Sequence, residues 1–149
     1  MDPLSIATGA ISVAGAGVKL VQSLRSYVET VNKADKWIEA LADRVKLTSA
    51  VLDNVGVLLR TEEVRKHCTT ELLTSTNTAL NGCKGVFSQL EAHVAGFIRQ
   101  NKSGHVGLTA NSTSSLSQNE LNVLQARLDR FRSSLDLILA VLDLPSSTK

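Results

Sequence analysis

Apolar residues fall into rows spaced at three and four along most of the chain, the pattern of helices that bury one face. Near the N-terminus Leu4, Ala7, Ile11, Ala14, Val18, Val21 and Val28 form one row. Ile6, Ala10, Val13, Gly17, Leu20, Leu24, Tyr27 and Val31 form a second. Two rows make a helix apolar over most of its girth, suited to the centre of a core or to lipid. Pro3 fits the first turn, where no amide hydrogen is needed, and a helix is predicted over residues 3–31.

A second helix, 33–60, is expected from the capping pattern Asn32–Asp35. It carries Trp37, Leu41, Val45, Thr48, Leu52, Val55 and Leu59 on one face, with Glu39, Asp43, Arg44, Lys46 and Asp53 off it. Thr61, Glu62 and Glu63 place acidic residues at the positive end of a third helix, 62–100. Its inward residues are Val64, Cys68, Leu72, Ala79, Cys83, Phe87, Leu90, Val94 and Phe97. Its middle, TSTN and NGCKG, is poor in helix formers, so a kink is expected near Gly82. Residues 101–117 are polar and aperiodic and read as a flexible internal linker.

Ser117 to Glu120 forms a capping box for a fourth helix, 118–144. Its row, Leu121, Leu124, Leu128, Phe131, Leu135, Ile138 and Leu142, is the most regular in the chain, and Pro145 is expected to end it before a tail at 145–149. The class predicted is all-α: one helical bundle over 1–144, with four main helices and an apolar, Gly/Ala-rich N-terminal helix. Trp37, Leu52, Phe87, Phe131 and Leu135 are expected in its interior.

Composition adds little but excludes much. A chain of 149 residues suits one domain with a sizeable core. Five aromatic residues leave that core to Leu, Val, Ile and Ala, which favours helices over a sheet. The net charge of +2, from 16 basic and 14 acidic residues, gives no clustered basic footprint, so no nucleic-acid partner is expected. Cys68 and Cys83, on one predicted helix, would lie about 22 Å apart, whereas a disulfide needs Cα atoms within about 7 Å. Reduced thiols and a cytoplasmic location follow.

The chain carries none of the common catalytic signatures. It has no phosphate-binding glycine loop with its lysine, no His-Glu-x-x-His and no paired Cys-x-x-Cys. No Gly-x-Ser-x-Gly elbow is present either. His67 and Cys68 are sequence neighbours and point about 100° apart on a helix, so they read as a surface histidine beside a core cysteine. His93 and His105 are expected to be solvated. No catalytic activity, metal or cofactor is therefore expected. Basic residues form two loose groups, Arg60, Arg65 and Lys66, then Arg127, Arg130 and Arg132. They read as a solvated face or, if they converge, as contacts for anionic lipid headgroups, each worth about 1 kcal/mol near a membrane.

The opening stretch carries no charge from Pro3 to Val18. A secretory signal needs a positive n-region, but Asp2 has the wrong sign and the apolar rows continue past Lys19 and Arg25. A permanent span needs about 20 apolar residues, more than this stretch provides. A buried first helix is the favoured reading. Small residues at Ser5, Gly9, Ser12 and Ala16, and at Ala10 and Ala14, would let helices approach closely in protein or in lipid.

DPLSIA (Asp2 to Ala7) and the Gly/Ala-rich helix after it resemble the opening of fungal HeLo-like domains, the N-terminal domains of fungal STAND (NOD-like) receptors and related proteins. LTSAVLDNVGVLL (Leu47 to Leu59) is similar to the family's second helix, CKGVFSQLEAHV to its third and RLDRFRSSLDLILAVL to its fourth. The resemblance implies an effector or signalling domain in fungal programmed cell death or non-self recognition. Its first helix would switch from bundle core to membrane on oligomerisation. By matching position the membrane-active residues would be Leu4, Ile6, Gly9, Ala10, Ile11, Val13, Ala14, Gly17 and Val18. Expected partners are further copies of the chain, anionic lipids of the plasma membrane, and a STAND receptor domain in cis or in trans. The location would be cytoplasmic, moving to the plasma membrane on activation. The alternative is a homotypic or partner-binding helical module without membrane activity.

Overall fold

Asp2 starts the first helix, its Oδ1 accepting from the Leu4 amide at 3.4 Å and its carbonyl from the Ile6 amide at 3.2 Å. In the computed structural model the backbone is described for residues 2–31, 36–102 and 108–147, and the side chains for 2–27, 38–96 and 119–143. Every element among them is a helix: α1 Pro3–Val31, α2 Lys36–Arg60, α3 Glu62–His67, α4 Thr70–Lys102 and α5 Leu108–Ser147. The fold is the expected all-α bundle with an apolar first helix. The cap expected at Asn32–Asp35 and the side chains of Trp37 and Phe97 lie outside the described residues.

Close contacts fix the packing directions. Gly17 faces Ser49 while Ile11 meets Gly56, so α1 and α2 run antiparallel. Gly9 faces Leu80 and Gly17 faces Phe87, which makes α1 and α4 parallel. Gly82 receives the Phe131 ring and His93 meets Glu120, so α4 and α5 are antiparallel. Arg44 joins α2 to α5, donating to Gln125 Oε1 at 3.1 Å and lying 3.5 Å from Asp129.

One shared core results. The predicted α2 row is buried throughout its described length, from Leu41 to Leu59 with Thr48 among them. Leu121, Leu124, Leu128, Leu135, Ile138 and Leu142 of α5 are buried, as are Leu52 and Phe87. Phe131 is half-buried against this core.

The helix boundaries differ from expectation mainly in α3, α4 and α5. The single helix expected over 62–100 is two, parted at Cys68 and Thr69. Cys68 is extended (φ −76°, ψ 124°), and Thr69 Oγ1 caps the new helix by accepting from the Leu72 amide at 3.1 Å. This cap outweighs continuity, and Thr61 caps α3 in the same way through the Val64 amide. α4 runs on through Gly82, where the missing side chain makes room for Phe131. Finally, α5 begins at Leu108, inside the expected linker, of which 103–107 lies outside the described residues. A helix already nucleated by its apolar row extends into weak formers at little cost per residue. It also continues through Pro145 to Ser147, where the missing amide removes a single bond of the last turn.

Candidate functional site

The site with functional potential is the seat of α1. The α1 residues Ile6, Ala7, Ala10, Val13, Ala14, Gly17, Leu20, Val21 and Leu24 are buried, which joins the second predicted row to every second member of the first. Leu4 and Val18 are outward, 41% and 50% exposed, and Ile11 is half-buried. The helix is therefore one-sided rather than apolar to the core all round. Of the nine residues expected to act on membranes, Ile6, Ala10, Val13, Ala14 and Gly17 are shielded inside the bundle.

Close approach is made elsewhere than the small-residue row Ser5, Gly9, Ser12 and Ala16 suggests. Ser5, Ser12 and Ala16 are exposed, and Gly9 meets only the mobile end of Leu80, 3.1 Å from where a methyl would stand. Gly17 is the tight point. A methyl there would run into Ser49 Oγ and stand 2.9 Å from the Phe87 ring. Gly56 is the second, where a methyl would lie 2.6 Å from Ile11 and 3.0 Å from the Ala7 carbonyl oxygen. Absent side chains at these two positions let α1 settle against α2 and α4.

The two basic groups lie on different elements, Arg60 at the end of α2 and Arg65 and Lys66 on α3, the three arginines Arg127, Arg130 and Arg132 on α5. Arg60 lies one turn beyond the Gly56–Ile11 contact and precedes the α3 that carries Arg65 and Lys66. Arg127 lies one turn from Phe131 on the His93 side and borders a groove of about 280 Å³ with Gln89, His93, Glu120 and Leu124. Arg60, Lys66 and Arg130 are exposed, whereas Arg65, Arg127 and Arg132 are half-buried. Arg65 and Arg132 each enclose their Nε, so their stems pack while their heads reach water. Lys66 pairs with Glu62 at 4.0 Å, an exposed contact that contributes little.

His93, expected to be solvated, instead meets Glu120 Oε2 at 3.1 Å and links α4 to α5. The spacing of the two in sequence, across a helix connection, gave no signal of it. His105 lies outside the described residues. Cys68 and Cys83 are free thiols; burial pushes Cys83 up to about 12, which keeps it protonated and unreactive. Among the described residues no three His, Cys, Asp or Glu side chains gather as a metal site would require. No family model matches the chain, and no curated protein or solved structure matches it either.

Proposed function

We infer that this chain is a membrane-active signalling domain: a helical bundle whose α1 is held in the core and transfers to an anionic bilayer when copies of the chain assemble. The reading follows the HeLo-like resemblance, with a role in fungal cell death or non-self recognition. One observation carries it furthest. Pro3–Tyr27 is long and apolar enough to cross a membrane, yet only 44% of its most apolar window is buried in the bundle. Twenty-five helical residues reach about 37 Å, more than the roughly 30 Å of hydrocarbon. The buried face is small and weakly bulky, rich in Ala10, Ala14 and Gly17, so what packs against α2 and α4 could pack against other α1 helices in lipid.

A core helix of a soluble interaction module satisfies the same length and composition. That second reading draws support from Leu137 and Val141, one turn apart on α5 and 72% and 48% exposed, which offer a partner an apolar contact. Dye leakage from vesicles separates the two. The membrane reading expects leakage from phosphatidylserine-containing vesicles that rises more steeply than linearly with protein concentration, with little from pure phosphatidylcholine. A folded protein that leaves both vesicle types intact at all concentrations would leave the interaction module as the function.

A further inference from the structure

Among the described residues three hydroxyl groups are buried in the core, on Thr48, Ser49 and Thr76. Two are satisfied within their own helices: Thr48 Oγ1 donates to the Arg44 carbonyl at 2.8 Å and Thr76 Oγ1 to the Leu72 carbonyl at 2.7 Å. Ser49 is different. It is 3% exposed, its Oγ has no hydrogen-bond partner among the described residues, and it points at Gly17 with the Phe87 ring alongside. The side of Gly17 that faces it presents a Cα hydrogen, a weak donor. The closest glycine contact between α1 and the rest of the bundle is thus built on a polar group stripped of water.

A hydroxyl shut away unpaired is a loss that the folded state carries and that hydration would relieve. Lifting α1 away removes Gly17, and water then reaches Ser49 Oγ. We propose that Ser49 is a built-in weakness in the seat of α1 that sets how readily the helix leaves the bundle. The inference rests on the reading of α1 as the moving element, but its first consequence is measured in solution without lipid.

The test compares the full chain with Ser49→Ala and Thr48→Val by thermal melting and by amide hydrogen exchange. Ser49→Ala should raise Tm by about 3–6 °C and slow exchange across residues 6–24 of α1 by about tenfold. Thr48→Val gives up a hydrogen bond that is made and should melt no higher than the parent. Ser49→Ala melting at or below the parent would overturn the proposal, as would unchanged exchange in α1 while α5 slows. On phosphatidylserine vesicles Ser49→Ala should need several times more protein for half-leakage. An unchanged half-leakage concentration in a more stable variant would also overturn it. If α1 exchange slows as expected but neither protein causes leakage, the weakness stands and the membrane reading fails.

Discussion

Ala10→Glu will lose most of its folded stability. Ala10 is fully buried on the core face of α1, amid Ile6, Val13 and Ala14. A carboxylate placed there without a partner costs several kcal/mol, against a total of about 5–15 kcal/mol for a domain of this kind. The urea midpoint should fall by half or more. Ala16→Glu, on the exposed side of the same helix, should melt like the parent and serves as the control for charge on α1. Equal melting of the two variants would remove α1 from the core.

Gly17→Leu has the second largest effect, and its two readouts move in opposite senses. Even a methyl at Gly17 collides with Ser49 Oγ and crowds Phe87, so a leucine must push α1 off α2 and α4. Overpacking of this kind costs about 3 kcal/mol, or about 10 °C in Tm. Lipid accepts the added apolar bulk. The variant should therefore melt lower yet release dye at lower protein concentration than the parent. Gly9→Leu should be milder on both counts, because only the end of Leu80 has to move. A Gly17→Leu protein that is destabilised and also leaks less would show that loosening α1 does not promote membrane entry.

The helices of this bundle were legible wherever one apolar row dominates. The rows from Leu41 to Leu59 and from Leu121 to Leu142 bury the residues that three-four spacing selects, because each helix has one face to cover. α1 was harder. Its two rows share the girth, and only its packing partners decide that Ala7, Ala14 and Val21 go in while Leu4 and Val18 stay out. The α3–α4 break has a signal in Thr69-Thr70-Glu71, a threonine cap followed by an acidic residue as in Thr61-Glu62-Glu63, but the apolar row Val64, Cys68 and Leu72 runs across it.

The seat itself was half visible. Gly17 lies in a predicted inward row, and small residues on α1 promised close approach. The partner was not visible: Ser49 lies next to the α2 row rather than in it, and its meeting with Gly17 depends on the antiparallel pairing of α1 and α2. Likewise His93 and Glu120 are brought together by the antiparallel pairing of α4 and α5, which spacing along either helix cannot reveal.

The proposed transfer of α1 is tested most directly by hydrogen exchange of the bundle with and without phosphatidylserine vesicles. In solution, residues 6–24, 45–59 and 79–90 should all be protected, since each contributes to the shared core. With vesicles, the account predicts that α1 stays protected, now by lipid, while its seat on α2 and α4 exchanges much faster once uncovered. Protection that is the same in all three segments with and without vesicles would contradict it.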